Sequence, residues 1–200
     1  MNNSEVTGEL LRRRRVDLDL RADLLSRGEL NEGYHPEMRR VHEDNADYLA
    51  RVIDHHGFPT AARVGEEAKA AAWLIVLHAI SRPAFLRRCR DLLAAEADQS
   101  LTDRRHLAYL TDRIAVFSGE PQRYGTQFDW NDAGRLVPNP YDDRDAVDRR
   151  RAELDLPSLA EQSTLINERT RAEGGRPPAD LAAHRSAFER WRKHTGWLSE

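Results

Sequence analysis

Sulfur and lysine are both scarce in this chain. The single cysteine, Cys89, has no partner for a disulfide within the chain and excludes a multi-cysteine zinc site. Of 31 basic residues only Lys69 and Lys193 are lysine, so cationic contacts fall to arginine, the better fork for carboxylate and phosphate. No apolar run approaches the roughly 18 residues that a membrane-crossing helix needs. The N-terminal "MNNSEVTGELLRRRRVDLDL" lacks an apolar core behind a basic patch, so no secretory signal is expected there. Glycine-rich phosphate loops and a serine nucleophile elbow are also missing. No His-x-x-x-His or His-Glu-x-x-His spacing occurs either. Nucleotide and redox cofactors are therefore not expected.

What remains is a polar composition of 200 residues, with 32% charged side chains and a net charge of −3. The near balance of charge argues against a phosphate-backbone binder. The run Arg12–Arg15 is followed at once by acids on the same helix, which reads as a solvated face. Length, composition and the lone thiol suggest one cytoplasmic domain spanning 1–200.

Apolar periodicity predicts a mainly α-helical fold with one β-hairpin insertion near 121–138. The N-terminal helix falls within 1–30, over residues 4–26. Pro36 or Glu37 opens a second helix that runs to His56, and Gly57 and Pro59 stop it. "EEAKAAAWLIVLHAI" is apolar nearly all round from Ala70 to Ile80, which predicts a central buried helix. Further helices are expected from Pro83 to Ala97, from Thr102 or Asp103 to Phe117, over "DDRDAVDRRRAELDL", and within 160–200. "RYGTQFDW" and "RLVP", joined by "NDAG", make the hairpin of 121–140, and Pro138 and Pro140 keep its strands short.

Polar residues at inward positions are the candidates for a site. On the second helix Asn45, with His42 and His56 beside it, shares the face of Met38, Val41, Leu49 and Val52. On the central helix His78 lies among Ala71, Leu74 and Ile75, where burial favours a neutral imidazole able to act as acid or base. Asp112 sits opposite the Leu107–Leu110–Ile114–Phe117 stripe, ordinarily an outward position. Tyr109 and Val116 share that side, however, so cover on both faces of the helix is expected, with Arg113 on a flank. If the first strand is extended, Tyr124 and Thr126 point one way and Gly125 and Gln127 the other. Each of these residues also has a structural reading, as a core histidine, a satisfied amide or an exposed ion pair. Convergence of His42, His56 and His78 on a metal stays open, and no metal ligand is assigned.

The stretches "GYHPEM", "VHEDNADYL", "GFPTAARVGEEAKAAAWLIVLHAI", "YLTDRIAVFSGEPQRYGTQFDW" and "DDRDAVDRRRAELDLPSL" together resemble a bacterial family of uncharacterised proteins. That family's pattern is Gly-Trp-Pro, Val-Gly, an alanine-tryptophan helix ending Gln-His-Ala, then Tyr-Leu-x-Asp-Arg and Tyr-Gly-Thr-Gln. The resemblance marks Asn45, Gly57, Pro59, Gly65, Trp73, His78, Asp112, Arg113, Tyr124, Gly125, Thr126 and Gln127. Phe58 replaces the pattern's tryptophan. Leu77 replaces the glutamine before the histidine, which removes an amide from the implied site and marks a divergent member.

The resulting expectation is a cofactor-independent enzyme that hydrolyses, eliminates or cyclises a small polar or anionic metabolite, in a bacterial specialised-metabolism setting. His78, Asp112 and Tyr124 are its expected catalytic residues. Arg113, Thr126, Gln127, Asn45 and Trp73 are expected to bind substrate, in a pocket between the central helix and the hairpin. The alternative is a non-catalytic binding protein or an inert subunit of a hetero-oligomer; homo-oligomers are equally compatible. Membrane partners are not expected, and nucleic acid is the least favoured partner.

Overall fold

Helix α1 (Asn3–Ser26) starts from a capping box in which Asn2 and Glu5 each accept the other's backbone N–H. The structure, a computed structural model, describes residues 2–29, 33–95 and 100–198. One face of α1 is buried, through Val6, Leu10, Arg13, Asp17 and Leu24. Val16, Leu18 and Leu25 are exposed. Two charged residues therefore sit in the middle of the inward stripe.

Helix α2 (Pro36–His56) opens on proline and stops at Gly57, as its punctuation predicts. A four-residue helix, α3 (Ala61–Val64), was not legible in the sequence. It hands over to α4 (Glu66–His78) at Gly65, whose φ of 81° closes one helix and starts the next. The α4 helix packs on α1, α2 and α3, and α1 also packs on α2 and α3. Small residues Ala68, Ala71, Ala72 and Ala79 line its buried side with Ile75 and Val76, which lets the neighbouring backbones come close. It is less enclosed than its composition suggested. Ala70 is exposed, and Trp73, Leu77 and His78 are only half-buried. It also ends at His78 rather than Ile80.

Helix α5 (Pro83–Ala95) buries Leu86, Cys89 and Leu93; its expected end at Ala97 lies outside the described residues. Burial pushes the Cys89 thiol up to about 12, and the thiolate is the nucleophile. Native protein should thus resist iodoacetamide at neutral pH and take up one label only on unfolding, as mass spectrometry of the intact chain would read.

Helix α6 (Leu101–Ser118) leads through Gly119 to the hairpin. Strands β1 (Phe128–Trp130) and β2 (Leu136–Pro138) pair antiparallel, with Asp129 opposite Val137. Asn131 holds their turn by accepting from the amides of Ala133 and Arg135. Helices α7 (Arg144–Ala152), α8 (Leu159–Ala172) and α9 (Leu181–His194) follow. Asn167 of α8 exchanges two hydrogen bonds with the backbone of Leu136, which satisfies part of the edge of β2. Phe117 packs edge-on against Trp191 and also against Phe188 and Trp197. Among the described residues the fold is mainly helical with a single small hairpin. The chain divides into two compact units, Met1–Leu92 and Leu93–Glu200. No described helix is long and apolar enough to cross a membrane.

Candidate functional site

In the first unit, α1, α2 and α4 each contribute one ionisable side chain to a common point. Asp17 comes from α1, His42 from α2 and His78 from the last turn of α4. Asp17 Oδ2 is 2.9 Å from His78 Nδ1 in a hydrogen bond. The same oxygen lies 3.3 Å from His42 Nε2, close enough for attraction but not aligned as a hydrogen bond. The two rings are 4.6 Å apart between centroids, tilted by 40°. On its other side His42 Nδ1 meets the Tyr34 hydroxyl at 2.8 Å.

Burial decides how this group behaves. The Asp17 side chain is 1% exposed, while that of His78 is 25% exposed. Among the described residues, Asp17 Oδ1 has no hydrogen-bond partner. Burial alone would raise the Asp17 carboxyl, but its contacts with His42 and His78 outweigh it and hold the group at about 2. The centre is thus a carboxylate kept ionised by two imidazoles, with one ring reachable from outside. His78 was expected to be shut off from bulk water; its place at the end of α4 leaves it partly open.

The next turn of the same two helices is also polar. Arg13 Nη1 donates to Asp44 and to Asn45 Oδ1, at 2.6 and 2.9 Å. Its Nε lies 2.8 Å from Glu9, and its guanidinium covers the Tyr48 ring at 4.4 Å. Asn45 is therefore buried as expected, but it is tied to an arginine from the run read as a solvated face. A groove of about 350 Å³ opens here, lined by Arg12, Arg13, Val16, Arg40, Val41, Asp44 and Asn45. Among the described residues Arg40 has no ion-pair partner, which leaves a cation on the groove wall. His56 does not join His42 and His78; its backbone carbonyl accepts from Arg63 and its ring lies against His55. Asp17 takes the third place instead. Trp73 is half-buried on α4.

The remaining candidates belong to the second unit, where they hold one another. Asp112 is fully buried, on a face of α6 that Tyr109 and Val116 also mark as covered. Its carboxylate accepts from the backbone amides of Arg123, Tyr124 and Thr126 at 2.8 to 3.2 Å, and from the Thr126 hydroxyl at 3.0 Å. Burial pushes the Asp112 carboxyl above its usual range, against the pull of those amides. The segment is not extended there. Gly125 turns it with a φ of 63°, so the amides of Arg123, Tyr124 and Thr126 point to one carboxylate instead of alternating. Gln127 donates to Thr126 Oγ1, and its Oε1 accepts from Arg113 Nε at 3.2 Å. Burial lowers Arg113 to about 10.

Two residues that the sequence reading missed complete this arrangement. Arg151, 1% exposed, donates to the carbonyls of Tyr124 and Pro157. Gln122, fully buried, bridges Gln127 and Asn139 through three hydrogen bonds. The turn at 123–126 thus has a carboxylate on its amides and a guanidinium on its carbonyls. A Cβ on Gly125 would stand 2.7 Å from Leu159 Cδ1. Gly125→Ala should accordingly cost about 1–3 kcal/mol in urea unfolding, from overpacking and the positive φ together.

The chain belongs to DUF6624, a family of unknown function. The family model matches residues 5–174, a span that holds Asp17, His42 and His78 as well as the Asp112 turn. No curated protein and no solved structure matches the chain. The DUF6624 span thus carries both polar centres, one in each unit, while α9 lies beyond it.

Sequence signals for the missed residues exist in hindsight of spacing alone. Asp17 falls on the same α1 face as Val6, Leu10 and Leu24, so an acid interrupts an otherwise apolar stripe. Arg151 is the last of three successive arginines, and on α7 it shares the inward face of Val147.

Proposed function

We propose that this chain is an enzyme acting on a small polar or anionic molecule, with Asp17, His42 and His78 as its reacting centre. The observation that carries this reading is a fully buried carboxylate gripping an imidazole that is itself a quarter exposed. Burying an ionised carboxylate is costly unless its charge is matched. An accessible histidine held by such a group is oriented for chemistry at its open side. The groove one turn away, with Arg40 on its wall, has the size and charge to receive an anionic group. Hydrolysis, elimination or cyclisation are the reactions that suit the centre. The polar atoms of Asp112, Thr126 and Gln127 are spent on the turn in the second unit, so substrate contacts are assigned to the groove instead. The setting we favour is the bacterial cytoplasm.

The second reading is a binding protein, in which the three residues only tie α1, α2 and α4 together. A panel of small carboxylic acids, phosphate esters, amides and lactones separates the two. Under the enzymatic reading at least one compound is converted by the wild type, and His78→Ala loses that turnover while melting within a few degrees of it. If no compound is converted and His78→Ala melts far lower, the tie is structural.

A further inference from the structure

The three side chains of the reacting centre offer two imidazole nitrogens and a carboxylate oxygen, all within 4.8 Å of one another. We propose that Asp17, His42 and His78 bind one divalent transition-metal ion of the Zn²⁺ class. The inference rests on the reading that these residues form the functional centre, and it names what that centre works with.

Geometry is the first support. Metal–ligand bonds of about 2.0–2.2 Å set neighbouring ligand atoms about 3.0–3.5 Å apart. Asp17 Oδ2 stands 2.9 Å from His78 Nδ1 and 3.3 Å from His42 Nε2, and the three ligand atoms lie within 4.8 Å of one another, so small side-chain shifts bring them to that spacing. The second support is a vacancy in the hydrogen bonding. Asp17 Oδ1 and His42 Nε2 are buried and have no hydrogen-bond partner among the described residues. Buried polar atoms left unpaired in this way are rare, because each one costs free energy. A cation taken by His42 Nε2 and by both carboxylate oxygens gives each of them a partner.

The surroundings fit as well. A ligating histidine commonly donates its second ring N–H to a nearby acceptor, which fixes the tautomer. The Tyr34 hydroxyl, 2.8 Å from His42 Nδ1, can accept that proton and leave Nε2 bare for the metal. Two nitrogens and one carboxylate suit Zn²⁺ and its first-row neighbours better than Mg²⁺ or Ca²⁺, which prefer oxygen shells. Three protein ligands leave coordination positions open to water or substrate, the pattern of catalytic and not structural sites. His78, partly exposed, lies on the side from which an ion would enter.

Cobalt provides the test, because its d–d absorption reports bound geometry directly. Chelator-treated protein should take up one equivalent of Co²⁺ with visible bands, and Zn²⁺ should displace it. The bands should vanish in His78→Ala and persist unchanged in His55→Ala and His56→Ala. Tyr34→Phe should weaken binding by about 10–100-fold, the usual cost of an outer-shell partner. No bands in the wild type, or bands that survive in His78→Ala, would overturn the proposal. Wild type that binds no cobalt yet loses turnover in His78→Ala overturns the metal and leaves the enzyme standing. One equivalent of cobalt lost in His78→Ala, with no compound turned over, upholds the metal and removes the enzyme.

Discussion

Asp112→Ala is expected to lower the unfolding free energy by about 3–5 kcal/mol, the range for removing one member of a buried polar network. The side chain is fully buried and serves the amides of Arg123, Tyr124 and Thr126 and one hydroxyl. Alanine leaves those donors facing a void that is too enclosed to hydrate them fully. The Arg151 guanidinium, which grips the Tyr124 carbonyl of the same turn, then loses the segment it holds. Asp112→Asn keeps the volume and some acceptor capacity, so about 1–3 kcal/mol is expected for it. Urea unfolding followed by circular dichroism reads both. Because the Asp17 centre is built wholly within the first unit, Asp112→Asn should leave the metal stoichiometry of the folded protein unchanged.

The second large effect is expected at Asp17→Asn. One carboxylate oxygen serves both imidazoles, and an amide of the same shape carries no charge with which to balance them. Its NH₂ group also presents donors where His78 Nδ1 already donates. Stability should fall by about 1–3 kcal/mol. Turnover of whatever compound the wild type converts should fall by about 10²–10⁴-fold, the contribution usual for a positioned proton-transfer or electrostatic group. Steady-state kinetics with a thermal melt on the same sample separate the two losses. A fall in stability with kcat intact would assign Asp17 to the scaffold.

Local grammar made most of the fold readable. Pro36 and Gly57 bracket α2, and Asn131 to Gly134 form the hairpin turn, because these residues act through their own backbone. What escaped depends on distant partners. Asp112 looked outward because its helix already had an apolar stripe on the other side. Residues 122–127 fold back to cover it; Tyr109 and Val116 within α6 announce that a cover exists, but not which segment supplies it. Asp17 was hidden in a different way. It sits among Arg12–Arg15 and Asp19, where charge reads as solvated surface, yet α2 and α4 close over that face of α1. His42 and His78 were each visible as polar residues at inward positions, but their meeting needed the third helix. The Tyr-Gly-Thr-Gln stretch stood out for its side chains, whereas its structural role rests on the amides that Gly125 allows to converge.

The most direct test is a ¹⁵N side-chain NMR spectrum of all eight histidines during titration with Zn²⁺. His42 Nε2 and His78 Nδ1 should shift together and saturate at one equivalent, while His35, His55, His56, His106, His184 and His194 hold their positions. Saturation at any other pair of rings, or eight rings that ignore the ion, would contradict a metal centre built on Asp17.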